Sequence, residues 1–135
     1  MKRPRIVVSN LPPDGDDRGA KLIARLLRNA GVEVIYANLQ DRPDGIVETV
    51  IQENADGLAI SVLSGDHMAL VPRILELLRA KGAGDVRVMV GGTIRADDAA
   101  ELERLGVTAV LRSGSSIEDV GVFLRCEASR MAAAP

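Results

Sequence analysis

Residues 57–62, Gly57-Leu-Ala-Ile-Ser-Val62, decide how the chain folds. They are apolar nearly throughout, as a central strand covered on both faces must be. The period then changes. Val71, Ile74, Leu75 and Leu78 recur at helical spacing, and Arg87–Val90 returns to a short apolar run. Pro72 suits only the first turn of that helix, which puts its start near Ala69.

The same alternation extends in both directions. Further strands are expected at Arg5–Ser9, Glu33–Ala37 and Ala109–Leu111. A first helix buries Ile23, Leu26, Leu27 and Ala30 and stops at Gly31. A second opens on Pro43 and buries Val47, Val50 and Ile51. A fourth turns Ala99, Leu102 and Leu105 inward and ends at Gly106. A fifth, from about 116 to about 128, opens with a capping box, Ser115 and Glu118. Five strands alternating with five helices imply an α/β, flavodoxin-like (Rossmann-like) parallel sheet. The expected order is 2-1-3-4-5, with helices on both faces.

Composition narrows the function. The chain has 135 residues, which suits one domain over 1–135, with 131–135 as a frayed tail. Seventeen basic against nineteen acidic side chains give a net charge of −2, which argues against nucleic acid or an acidic membrane as partner. Tyr36 and Phe123 are the only aromatic residues, too few for a base-stacking platform. Cys126 and His67 are the sole residues of their kinds, which excludes a disulfide framework and any clustered Cys/His zinc site. No window suits a membrane span, and the basic start runs too soon into Pro12-Pro13 for a signal peptide. A soluble, cytoplasmic protein is expected.

In this sheet order ligands sit beyond the carboxyl ends of the strands, at the switch point. Four loops face that edge: Asn10–Arg18, Leu63–His67, Gly91–Arg95 and Arg112–Ser115. The first crowds Asp14, Asp16 and Asp17 ahead of a helix, where Asp16 or Asp17 can equally act as a cap. Ser61 and Leu63 share one side of an extended strand. Gly91-Gly92, before Thr93, removes Cβ atoms where something approaches the backbone, or else makes a plain turn. Ser113-Gly114-Ser115 offers hydroxyls and N–H groups to a polar ligand.

Three motifs at matched spacing resemble a known family, the cobalamin-binding domain of the acyl-CoA mutases. They are Asp14-Gly15-Asp16-Asp17-Arg18-Gly19, Ser61-Val62-Leu63 and Gly91-Gly92. Forty-one residues separate Gly19 from Ser61, and 27 separate Leu63 from Gly91. The chain looks most like the separate small subunit of isobutyryl-CoA or 2-hydroxyisobutyryl-CoA mutases.

The resemblance implies adenosylcobalamin bound base-off, with its benzimidazole tail in a slot of this domain. Ser61 would hydrogen-bond the base, Leu63 would shape the slot, and Gly91-Gly92 would clear room. The 113–115 loop would lie near the tail's nucleotide. A large acyl-CoA-binding mutase subunit is the implied partner, in a hetero-oligomer. No residue here is a candidate for direct catalysis.

The chain departs from the family at one telling point. Asp16 stands where the ligand histidine is normally found, and Asn10 replaces a lysine that often supports the neighbouring aspartate. Asp14, the carboxylate that would orient that histidine, is kept. A carboxylate is a harder ligand than corrinoid cobalt ordinarily takes, so no residue is assigned as a metal ligand. A corrinoid-binding or sensing module without its own reaction, and a B12-type fold that has lost the cofactor, stay open. A phosphoacceptor receiver domain is disfavoured because Ser61-Val62-Leu63 lacks the aspartate it needs. A divalent cation at Asp14, Asp16 and Asp17 lacks a recognised cage. His67 reads as a solvated or helix-start residue, Cys126 as a core thiol, and Arg73, Arg79, Arg87, Arg95 and Arg104 as solvated surface.

Overall fold

The computed structural model describes residues 4–10, 18–37, 42–62, 67–92 and 94–112. Nine elements follow one another: β1 (Arg5–Asn10), α1 (Arg18–Asn29), β2 (Glu33–Tyr36), α2 (Pro43–Gln52), β3 (Gly57–Val62), α3 (His67–Ala80), β4 (Arg87–Gly92), α4 (Ala96–Leu105) and β5 (Ala109–Arg112). The five strands are parallel and ordered β2-β1-β3-β4-β5, as the alternation predicts. The expected fifth helix and its capping box fall outside the described residues, as do Cys126 and the tail.

The sheet carries two apolar layers because successive side chains point to opposite faces. Ile6, Val8, Ala59 and Met89 pack with Ala20, Ile23, Ala24 and Leu27 of α1. Val7, Leu58, Ile60, Val88 and Val90 pack on the other side with α2, α3 and α4. β3 is buried at all six positions, which explains why it reads as an unbroken apolar run. Each fully buried leucine or isoleucine in these layers contributes about 1.5–3 kcal/mol.

Some inward faces differ from the periodic reading. Ala30 is exposed, and Ala20 and Ala24 complete the α1 stripe instead. In α2 Ile46 is buried together with the expected Val47 and Val50, whereas Ile51 is 41% exposed. A three-residue window of matching spacing cannot fix a helix's rotation when both edges of the stripe are apolar. α3 begins at His67, two residues earlier than expected, so Pro72 is its sixth residue. The missing N–H there is one that the helix forgoes within its second turn.

The strands also run further than expected at the carboxyl edge. Asn10, Gly91-Gly92 and Arg112 belong to strands and not to loops, and Arg18 and His67 open helices. β2 ends at Tyr36, one residue earlier than expected.

The arginines are mostly paired and not merely solvated. Arg5 bridges Glu33 at 3.2 Å and donates to the Glu53 carbonyl at 2.7 Å. Arg79 donates to the Leu105 carbonyl at 2.6 Å, closing the end of α4, where Gly106 turns with φ +122°. A side chain at Gly106 would also crowd the Arg79 guanidinium. Arg87 is half-buried, with its Nε enclosed. Arg104 beside Glu101 holds that carboxylate below its usual range by hydrogen bonding.

Candidate cofactor site at the carboxyl edge of the sheet

Parallel pairing sets four residues in one row across the sheet. Asn10 is opposite Ser61, Ser61 opposite Gly91, and Gly91 opposite Leu111. By the alternation of each strand, this row faces α1. Its two central members carry only a hydroxymethyl group and a hydrogen. Asn10 is 1% exposed and Ser61 5% exposed, so both polar groups are held inside the edge.

α1 closes over the row from above. Gly19, in its first turn, lies so near Ser61 that a Cβ there would collide with the serine Oγ. The opening residues of α1 and the end of β3 therefore meet through a glycine on one side and a hydroxyl on the other. One turn later Ile23 reaches over Gly91. A Cβ on Gly91 would stand 3.3 Å from Ile23 Cδ1 and 3.5 Å from Leu111 Cβ.

Gly92 is glycine for a different reason. Its φ is +133°, and a Cβ would run into the carbonyl of Val62 on β3. That atom would point at backbone and not into space for a ligand. Only Gly91 of the pair thus shapes the α1-facing row, while Gly92 lies close against the backbone of Val62 at the end of β3.

The remaining sequence candidates divide simply. Arg18 opens α1. Asp14, Gly15, Asp16, Asp17, Leu63, Thr93, Ser113, Gly114 and Ser115 lie outside the described residues. The cap and ligand readings of the aspartates therefore have no structural counterpart here. Among the described residues, no group of three or more His, Cys, Asp or Glu side chains is placed to hold a metal ion.

His67 has a specific partner. Its Nε2 lies 3.1 Å from Asp98 Oδ2, joining the first turns of α3 and α4 at the same edge of the sheet. Their side chains are 16% and 28% exposed. Sequence reading weighed His67 but not Asp98. The two are 31 positions apart, and Asp98 looks like any acid in a first helical turn. Removing the pair with His67→Ala is expected to cost about 1 kcal/mol, since the contact is half-buried. Urea denaturation checks this, and an unchanged midpoint would deny the link between the two helices.

The row and its covering helix are closely packed, with a single small hydroxyl between two glycines. Glycine at 19 and 91 flanks a buried hydroxyl at 61, and at both glycines the space a Cβ needs is already contested. Residues 4–120 match the family described as B12 binding domain. The chain belongs to the B12-binding domain family. It is 45% identical over 107 residues to the 2-hydroxyisobutanoyl-CoA mutase small subunit of Aquincola tertiaricarbonis, covering 79% of each chain. It is 38% identical over 116 residues to the pivalyl-CoA mutase small subunit of Xanthobacter autotrophicus, covering 86% of this chain and 78% of that one. A methylmalonyl-CoA mutase of Cereibacter sphaeroides is 35% identical over 116 residues, but these are only 16% of its length.

This B12-binding domain also resembles solved structures. A monomethylamine corrinoid protein of Methanosarcina barkeri superposes with a TM-score of 0.72 at 15% identity, over 90% of this chain and 57% of that one. A cobalamin-binding protein from Desulfitobacterium hafniense gives 0.69 at 22%, over 93% and 58%. This chain thus spans a little over half of each. The receiver domain of NarL from Mycobacterium tuberculosis gives 0.66 at 15%, over 95% and 98%. These likenesses concern the fold. No helix among the described residues is long and apolar enough to cross a membrane.

Proposed function

We propose that residues 1–135 act as one cytoplasmic domain, the cobalamin-holding small subunit of an adenosylcobalamin-dependent acyl-CoA mutase. On this reading the domain works in a hetero-oligomer with a larger subunit that binds the acyl-CoA. The support is the α1-facing row, where Ser61 is buried between Gly19 and Gly91 at the ligand-binding edge. The two small-subunit relatives add to it, since each matches most of this chain and of itself.

The chemistry that the bound cofactor would supply is homolysis of its own cobalt–carbon bond, which begins a radical rearrangement of the carbon skeleton. The chain's part is to bind and orient. Ser61 would donate to the benzimidazole nitrogen of the tail. Gly19 and Gly91 would add no side-chain bulk of their own beside that ring, and Leu63, Thr93, Ser113, Gly114 and Ser115 would line the rest of its path. Asp14, Gly15, Asp16, Asp17 and Arg18 would sit beneath the corrin.

Two measurements test this reading. Titrating the chain with hydroxocobalamin should shift the absorption spectrum to the base-off form. Binding with the base still on cobalt, or no binding, would overturn the slot. An affinity-tagged chain should also bring down a mutase-like large subunit from its own cells.

The departure at Asp16 gives a further prediction. Asp16→His restores an imidazole at the position the resemblance assigns to the lower ligand. The complex should then show a nitrogen-ligated spectrum that the natural chain lacks. Identical spectra for the two proteins would mean that residue 16 does not lie beneath cobalt.

A further inference from the structure

We infer that His67 and Asp98 position the cofactor edge: their pairing holds the first turns of α3 and α4 at the spacing that the tail's slot needs. This deepens the cobalamin reading above and rests on it. The observation that carries it is where the pair sits. β3 and β4 end side by side, with Val62 opposite Gly92. From each strand end the chain enters a helix within a few residues, and His67 opens α3 while Asp98 lies in the first turn of α4. His67 Nε2 and Asp98 Oδ2 are 3.1 Å apart, so the two exits from the sheet are tied together where they become helices. Ser61 and Gly91 lie one residue inside the same strand ends.

Two features separate this contact from an ordinary surface ion pair. Arg73–Glu76, Arg95–Asp97 and Arg104–Glu101 each join residues two or three apart in the chain, through more exposed side chains. His67 and Asp98 instead join two helices and are largely enclosed. The same helices are also held elsewhere. Val71 and Ile74 of α3 share one apolar layer with Ala99 and Leu102 of α4. At the opposite end Arg79, in the last turn of α3, donates to the Leu105 carbonyl that ends α4, at 2.6 Å. The helix pair is thus fixed at its middle and far end without His67. What His67 and Asp98 add is confined to the end where ligands bind.

The physical effect is preorganisation. Chain that is fixed at both ends has fewer conformations to lose when a ligand orders it, so less of the binding free energy is consumed. A carboxylate on Nε2 also selects the Nε2–H form of a neutral imidazole and orients its ring. His67 and Asp98 act through the two helices, and neither is assigned a contact with the cofactor.

The test titrates hydroxocobalamin into the full chain and its variants, each first shown to be folded by circular dichroism. His67→Ala and Asp98→Ala should each weaken binding by about fivefold, the value of one ordinary hydrogen bond. The double variant should bind no more weakly than either single one, because the two side chains act as a unit. His67→Gln places an amide N–H within reach of the same carboxylate and should recover most of the affinity. Arg79→Ala loosens the same helices at their far end. It should lower the urea midpoint yet keep the affinity within about twofold of the natural chain, as a change remote from the site does. His67 is the sole histidine, so ring-nitrogen NMR reads it without overlap. The natural chain should show the Nε2–H form, and Asp98→Ala a mixture of both tautomers. Natural affinity in His67→Ala, an equal loss in Arg79→Ala, losses that multiply in the double variant, or tautomers unchanged by Asp98→Ala would each overturn the proposal. No uptake by the natural chain would overturn the cobalamin reading and this proposal with it. Equal uptake by the natural chain and every variant would overturn this proposal alone.

Discussion

Replacing Gly92 with alanine is expected to remove about 3 kcal/mol of stability, the upper part of the range for a forced backbone conformation. Two effects add there. The residue has φ +133°, which L side chains rarely adopt, and its Cβ would press on the Val62 carbonyl, with the carbonyl carbon only 2.9 Å away. Val62 belongs to β3, the central strand buried at every position, so it cannot move aside without disturbing both apolar layers. Gly31 is the control. It too has positive φ, +89°, but a Cβ there meets nothing within 4 Å. Gly31→Ala should therefore cost only the backbone strain, about 1 kcal/mol. Urea denaturation of both variants gives the comparison. Equal losses would mean that the clash with β3 contributes nothing.

The second large effect concerns ligand binding. Ser61→Leu should weaken cobalamin binding at least a hundredfold, whereas Ser61→Ala should weaken it by about three- to tenfold, the value of one ordinary hydrogen bond. The leucine would enlarge a position where β3 meets the first turn of α1, and the space beside Gly19 is already closed by a hydroxyl. The alanine removes the donor and keeps the width. Spectroscopic titration with hydroxocobalamin, on variants first shown to be folded by circular dichroism, separates width from hydrogen bonding. Wild-type affinity in the leucine variant would remove Ser61 from the cofactor's path.

The two predictions divide a dipeptide that looks uniform in sequence. Gly91 and Gly92 both read as cleared space, yet they face opposite sides of β4. Gly91 lies under Ile23 in the row that α1 covers, and Gly92 is held by a backbone contact with its neighbouring strand. No rule applied to adjacent glycines distinguishes these roles, because the difference lies in φ and in which strand is beside them. Ser61 was legible for the opposite reason. It is the polar residue in an otherwise apolar central strand, two positions before the run ends, and a parallel sheet brings such a position to the ligand edge. The matched spacing of the three motifs pointed to the family that residues 4–120 match.

The groove that Arg25 and Arg28 of α1 line with Tyr36 of β2 shows what periodicity passes over. The α1 stripe of Ala20, Ile23, Ala24 and Leu27 gives the inward face. The polar face reads as solvated because sequence alone does not say that β2 ends beside it with Tyr36. Likewise His67 and Asp98 are ordinary first-turn residues until α3 and α4 are laid side by side.

From its sequence alone this protein's element types, their alternation, the strand order and the family could be stated. All of these depend on local period and on motif spacing, which the chain carries explicitly. Only the tertiary structure decided the rotation of α1 and α2, the pairing of His67 with Asp98, the separate duties of Gly91 and Gly92, and the setting of Arg28 over the Tyr36 ring. Each of those depends on distances between residues far apart in the chain, set by packing that satisfies all the elements together.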